Sequence, residues 1–409
     1  MKNRILHLAA AGVLALPAAA APETDWSLYG TLLVELDNVK ADGASTGAST
    51  APLMTGTTYA PVNVPARNRV SGGGSNIGFK GGTRLSSDLK VIWQMESAIQ
   101  LDGDTPTTLA GRNSGIGLEG PWGTVLVGQW DTPYKNIQQA VQQLKTTVQF
   151  DAWLLNNAGF NTPPTTTASS PTSDKKDATF SRRQGNSLQY WSPVVSGLQA
   201  KVMYSVNEGK PASSATAPQA SPWVISANLT YKVGPLTAMY AYERHHDYFG
   251  LNRMLSSTIG TKATSKDEGH ELGLFLNLPS NTRVTAVFEQ LKYQTDGQAA
   301  TLVNEYKRFA WHTSVAQSFG AHKVWLAYGS AAAGSGTLTS GAAVTTDGLG
   351  AQQYTLGYSC ALNKATDAFA AVYGMKNDKS AQYGLYPQVT TLACGADTKG
   401  MGLGLVYKF

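Results

Sequence analysis

The residues of this 409-residue chain whose types and spacing could do covalent chemistry are few. Gly115-Ile116-Gly117-Leu118-Glu119-Gly120 satisfies G-x-G-x-x-G. A dinucleotide site needs that run to follow a strand and open a helix, whereas Pro121-Trp122-Gly123 and a second strand-like stretch follow here. His245, His246 and Asp247 could be read as metal ligands. Adjacent residues on a strand point to opposite faces and cannot easily share one ion, so the expectation is a solvated strand end and no metal. No G-x-S-x-G elbow occurs, so acyl transfer gets no support from that motif, although Ser and His on neighbouring strands stay open as an alternative. What remains is charge: Lys80, Lys90, Gln94, Glu96, Arg183, Lys201, Lys232, Arg283, Glu289, Arg308, His312 and Lys323 all fall on the polar side of alternating segments. Eight of these are Lys or Arg and two are Glu, a basic surface whose chemistry is the attraction of anions rather than bond making.

The elements that must position these residues follow one pattern, about ten residues of period-2 alternation and then a connection. Trp26, Leu28, Leu32, Val34 and Leu36 share one face, with Ser27, Thr31, Glu35 and Asp37 opposite. Trp223, Ile225, Ala227, Leu229 and Tyr231 alternate with Ser226, Asn228, Thr230 and Lys232, and His270, Leu272, Leu274, Leu276 and Leu278 with Glu271, Gly273, Phe275 and Asn277. Successive strand side chains point to opposite faces, so each segment has an apolar face and a polar one. Sixteen such segments begin near Asp25, Asn68, Leu89, Arg112, Thr124, Phe180, Leu198, Trp223, Leu236, His270, Thr282, Glu305, His322, Ala351, Ala365 and Lys399. Short connections such as Pro121-Trp122-Gly123, Gly234-Pro235 and Gly320-Ala321 alternate with long ones near Asn38–Arg67, Asp131–Thr179, Asn207–Pro222, Asp247–Glu268 and Asp378–Thr398.

An even number of strands, with short turns at one rim and long loops at the other, predicts an all-β transmembrane antiparallel barrel. Closure pairs every backbone group, as the hydrocarbon region demands, and Trp26, Tyr190, Tyr204, Trp223, Tyr231, Tyr242, Tyr358, Tyr373 and Tyr407 suit aromatic girdles at the membrane interfaces. Cys360 and Cys394, the only cysteines, fall near opposite rims. A disulfide needs Cα atoms within ~7 Å against an apolar band ~25 Å tall, so both thiols are expected unpaired.

Lys2 and Arg4 precede an apolar stretch from Ile5 to Leu16, followed by Ala18-Ala19-Ala20. This reads as a secretory signal over residues 1–20, leaving a barrel over 21–409. The remaining 30 Lys and Arg against 27 Asp and Glu give a net charge of +3, an excess too small to imply a nucleic-acid partner. Only 14% of the residues are charged, and no segment after the signal has the ~18 apolar residues of a spanning helix.

The last segment, with Met401, Leu403, Leu405, Tyr407 and Phe409 alternating against Gly402, Gly404, Val406 and Lys408, ends on a terminal Phe and resembles the assembly signal of outer-membrane barrels. Ser27-Leu28-Tyr29-Gly30, Ser75-Asn76-Ile77-Gly78-Phe79-Lys80-Gly81, Gly120-Pro121-Trp122-Gly123-Thr124-Val125, Asp131-Thr132-Pro133 and Asn186-Ser187-Leu188-Gln189-Tyr190-Trp191-Ser192-Pro193 occur in the order found in the sixteen-stranded trimeric general porins. The chain is similar to the beta-proteobacterial group of that family over essentially its whole mature length. The resemblance implies a homotrimer in outer-membrane lipid and passive diffusion of small hydrophilic solutes and ions, without a cofactor or enzymatic activity. It further implies that the third loop, after Asp131, folds into the lumen with Tyr134 to Lys145 helical, and that Asp131, Tyr134, Lys135 and Asp151 form the constriction. Loop carboxylates facing the basic wall would set a transverse field and favour anions weakly. The chain departs from the family where Asn76, Leu126 and Gln129 stand in place of frequent Arg, and a Pro-Glu-Phe-Gly-like piece of the third loop is missing. These departures keep open a channel selective for one anion or organic acid. A non-conducting barrel acting as adhesin or hydrolase is the further alternative.

Overall fold

The structure, a computed structural model, describes residues 24–48, 53, 58–59, 62–103, 109–144, 152–160, 178–206, 220–384 and 392–409. The expected signal, Asp151 and the Pro/Thr/Ser-rich stretch 161–173 lie outside the described residues.

Sixteen antiparallel strands close a barrel. They are β1 (Thr24–Asp42), β2 (Val64–Ser71 continued by Asn76–Arg84), β3 (Lys90–Ala98), β4 (Ser114–Gly120), β5 (Gly123–Asp131), β6 (Arg183–Trp191), β7 (Leu198–Ser205) and β8 (Trp223–Val233). The second half comprises β9 (Leu236–His246), β10 (Thr264–Asn277), β11 (Thr282–Asp296), β12 (Val303–Phe319), β13 (His322–Ala331), β14 (Ala351–Ala361), β15 (Thr366–Asn377) and β16 (Asp397–Lys408). Each pairs with its sequence neighbour, and β1 closes the ring on β16 from Thr31↔Lys408 to Asp42↔Asp397. Phe409 completes the seam by exchanging backbone hydrogen bonds with Gly30, at 2.9 and 3.2 Å.

The alternation works as expected because the hydrocarbon outside rewards apolar side chains while the inside is polar. Outward Leu326 and Leu403 are 60% and 59% exposed, whereas inward Glu35 and Ser226 are fully buried. Gly357 faces its cross-strand partner Trp325, and a Cβ at 357 would collide with that indole. Glycine here is packing space for a large inward ring.

The strands reach further toward the long-loop rim than the alternation alone indicated. β10 starts at Thr264 rather than near His270, and the loop before it holds a short helix, Gly250–Leu255. The connection between β13 and β14, absent from the expected long loops, spans 332–350 and carries a small hairpin, Ser335–Leu338 with Ala343–Val344. The G-x-G-x-x-G run lies wholly in strand β4.

Candidate functional site

The described parts of the third loop between β5 and β6, residues 132–144, 152–160 and 178–182, fold inside the barrel. Its first half forms α1 (Lys135–Val141), as expected. Ile137 and Val141, one turn apart, give the helix its apolar stripe, and both are completely buried. Close approach to the wall is possible because Gly273 and Gly269 stand beneath: a Cβ at 273 would meet Ile137 and Phe275, and one at 269 would meet Phe180 and Tyr134. The loop then packs Leu154, Leu155, Phe160 and Phe180 against inward Val287, Leu291, Tyr293, Tyr306 and Ala310. Side chains from the wall also hold the loop backbone: Ser226 Oγ accepts from the Tyr134 amide at 3.0 Å, and Gln353 Oε1 from the Leu154 amide at 2.9 Å.

The centre of this packing is one ion pair. Arg308 and Glu289 meet at 2.8 Å with both side chains wholly buried. Arg308 Nε donates to the Asn157 carbonyl at 2.9 Å, while Glu289 accepts from the Asn156 amide at 2.9 Å and the Tyr134 hydroxyl at 3.1 Å. The Tyr134 phenol is pushed well above its ordinary pKa by burial and by the carboxylates Glu289, Glu271 and Glu243. Two further cations cap the C-terminal end of α1, whose last carbonyls have no helical partner. Arg283 donates to the Ala140 and Gln142 carbonyls and Lys323 to that of Gln143.

All twelve residues placed on the inward side by alternation lie on that side, but they do not share one environment. Glu289, Arg308 and His312 are covered by the loop, 1–2% exposed, and do not meet pore water; Glu289 and Arg308 clamp the loop. Tyr134, expected at the constriction, is likewise buried as an anchor. Arg183 and Lys135 both pair with Asp131, at 3.1 and 3.0 Å. The expected loop carboxylate is therefore already compensated and does not stand bare against a basic wall. Burial lowers the Lys135 pKa, with Asp131 opposing that shift. Glu96 pairs with Arg112 and accepts from the Tyr29 hydroxyl at 2.9 Å.

Lys80, Lys90, Lys201 and Lys232 remain open to the lumen. Lys80 and Lys90, with Gln94, Asp25 and Trp191, line one cavity of about 380 Å³. Lys201, Lys232 and Arg283 line a second of about 410 Å³, with Thr230, Gln199 and Asn277 among its other walls. Lys80 sits 5.1 Å from the Tyr29 ring and Lys201 5.0 Å from that of Trp191, contacts that hold a cation without neutralising it.

Glu35, Asp37 and Glu271, which alternation put on the polar side but which were left out of the lumen charges, face inward and are buried, as do Glu243 and Asp267, which were not singled out, so the wall is less one-sidedly basic than eight against two. Asp37 pairs with Arg69 at 2.6 Å, and neither oxygen of Glu271 has a hydrogen-bond partner among the described residues. Their positions in the alternation were the available signal. His245 corrects the expectation of a solvated end: it is fully buried, bonds Glu243 at 3.0 Å and stacks on Phe180 at 4.5 Å, because the third loop rises to cover it. His246 points outward and stacks on Trp223 at 4.9 Å. Both cysteines are free.

Residues 8–381 match the Gram-negative porin family. The major outer membrane protein P.IA of Neisseria meningitidis serogroup A is 28% identical over 350 residues, 75% of this chain and 82% of that protein. P.IB of Neisseria meningitidis serogroup B is 30% identical over 60% of each chain. Among solved structures, an anion-selective porin from Comamonas acidovorans superposes with a TM-score of 0.68 at 18% identity, over 95% of this chain and all of that one. The OmpF–daunomycin complex of Salmonella typhi superposes with a TM-score of 0.57 at 14% identity, over 94% of this chain and 97% of that one. A closed sixteen-stranded barrel, an inward third loop and a match across most of its length establish this chain as a member of the Gram-negative porin family, resident in the outer membrane.

Proposed function

We propose that the barrel is a homotrimeric diffusion channel for small hydrophilic solutes and ions, weakly preferring anions, exported by a leader over residues 1–20. The carrying observation is an imbalance of exposure. The mid-barrel carboxylates are buried or paired, as with Asp131, Glu96 and Glu289. Lys80, Lys90, Lys201 and Lys232 face the cavities, and none of them is ion-paired among the described residues. A permeating ion responds to charge it can approach through water, and desolvated, compensated carboxylates contribute little at that range. Asp25, Glu119 and Asp367 also face inward near the short-turn rim, Asp367 pairing with Lys408 at 3.0 Å. They limit the preference without reversing it.

The test is single-channel recording of refolded protein in a planar bilayer, followed by the reversal potential across a salt gradient. Stepwise openings in threes with a small anion-side reversal potential are expected. A cation-side potential would overturn the charge assignment, and silence from verified folded barrels would overturn the channel.

A further inference from the structure

Part of the inward wall is apolar without serving the third loop. Ile92 on β3, Leu126 and Trp130 on β5 and Trp191 on β6 all line the cavity of about 380 Å³ that holds Lys80 and Lys90. None of the four belongs to the apolar cluster that packs the loop. Between β3 and β5, strand β4 gives this stretch of wall no side chain. Gly117 stands opposite Ile92 on one side and Leu126 on the other, and Gly115 opposite Gln94 and Gly128. A Cβ at either glycine would run into a β5 carbonyl oxygen, that of Val125 or Val127. The first two glycines of the G-x-G-x-x-G run therefore keep the wall recessed where Ile92 and Leu126 line it.

The two indoles are held in place. Their ring centroids lie 5.7 Å apart with planes inclined at 60°. Trp191 Nε1 donates to Gln189 Oε1 at 2.9 Å, and Lys201 Nζ lies 5.0 Å from the Trp191 ring. Both indoles are only half-buried, so each leaves aromatic surface facing water, where apolar area is costly unless something covers it. Lys80 and Lys90 have no acidic partner among the described residues. Asp25 also lines the cavity, so two ammonium groups face one carboxylate and leave a single positive charge to be matched.

We propose that this cavity is a binding subsite for an aromatic monocarboxylate, an inference that rests on reading the barrel as an open channel. The ring lies against Trp130 and Trp191 over Ile92 and Leu126, and Lys80 and Lys90 take the carboxylate. A neutral ring would leave the cations unmatched, and a small inorganic anion would leave the indoles facing water. Fixed aromatic faces beside charge-assisted donors match a solute with both parts. The volume is at the small end of the ~300–1,000 Å³ of small-molecule sites, which suits a single ring.

The test is chloride current through the refolded protein in a planar bilayer, titrated with benzoate. Acetate and benzyl alcohol serve as the carboxylate and the ring alone. Benzoate should reduce the current saturably, half-maximally at millimolar concentration as expected for so small a ligand, and the other two should not. K80Q/K90Q should raise the half-maximal concentration about tenfold through the lost charge-assisted hydrogen bond. W130A should raise it about three- to tenfold through the lost ring contact, with W130F close to wild type. Heat-modifiable mobility on a gel verifies folding of each variant. Equal block by acetate would reduce the site to general anion attraction, and equal block by benzyl alcohol to apolar partition. Either result would overturn the proposal, as would wild-type sensitivity in both W130A and K80Q/K90Q. A second readout needs no conduction: 4-iodobenzoate should quench tryptophan emission saturably, and less so in W130F/W191F. If folded barrels carry no current, the channel reading fails and the quenching decides the subsite alone. Quenching that does not saturate, or that is unchanged in W130F/W191F, would overturn it.

Discussion

Replacing Arg308 by Gln tests whether the inward loop is held chiefly by one buried ion pair. Arg308 supplies the 2.8 Å pair to Glu289, a 2.9 Å hydrogen bond to the Asn157 carbonyl and a 3.3 Å bond to that of Leu154. Its loss leaves Glu289 as a buried carboxylate whose described donors are the Asn156 amide and the Tyr134 hydroxyl. Breaking a buried pair from one side costs about 3–5 kcal/mol, mostly from the charge left behind. The strand ladder on either side of positions 289 and 308 does not depend on these side chains. The penalty therefore falls on the docked loop, and release becomes more favourable by a factor of roughly 10² to 5 × 10³. The expected readouts are faster tryptic cleavage within the third loop and increased open-channel noise, with heat-modifiable mobility unchanged. The double variant R308Q/E289Q removes both charges and should behave closer to wild type than R308Q alone, since a neutral buried pair carries no orphaned ion. A folded R308Q barrel with wild-type cleavage and current would refute the clamp. A double variant worse than the single would refute the orphan-charge explanation.

Three further outcomes follow from the geometry. K201Q/K232Q removes two uncompensated cations from one cavity and should move the reversal potential toward the cation side; an unchanged potential would place the filter elsewhere. Gly357→Ala forces a Cβ into the Trp325 indole and should cost about 1–3 kcal/mol by overpacking, read as a lower unfolding temperature, whereas an unchanged temperature would mean the ring has room to move. Burial pushes the Cys394 thiol up to about 11 and the thiolate is the reactive form, so iodoacetamide at pH 8 should label it far more slowly folded than unfolded, with the folded rate climbing as pH approaches 11. Equal rates at pH 8 would contradict its burial.

Inward or outward direction was legible because it is local: the two-residue period fixes the face of Lys80, Lys201 or Arg283 once a strand is recognised. Even so, the β5–β6 pairing shifts between Gly128 and Trp130, with three residue steps on β6 facing two on β5, which brings Asp131 opposite Arg183 and makes their ion pair possible. The extra residue falls at Gly185-Asn186 of β6, where Asn186 has φ 51°, a local bulge that the two-residue period does not register. Exposure was not legible, since it depends on where 51 connecting residues, 132–182, settle. Arg308 and Lys201 have the same parity reading, yet one lies beneath the loop and the other opens on a cavity. His245 was misjudged for the same reason: its strand position was right, and Phe180, 65 residues away in sequence, covers it.

The two kinds of inward charge do different work, and the difference is one of dielectric. Glu289 and Arg308 interact where water is excluded, so their attraction is strong, short-ranged and spent on holding the loop. Lys80, Lys90, Lys201 and Lys232 sit against water-filled space, where each contributes a screened field that falls off over about 8 Å at physiological salt. A channel built this way can change its loop anchor without changing selectivity, and its selectivity without loosening the loop. R308Q should therefore leave the sign of the reversal potential alone, and K201Q/K232Q should leave tryptic cleavage of the loop alone. A variant of either set that moved both readouts together would show that the clamp and the filter are one system.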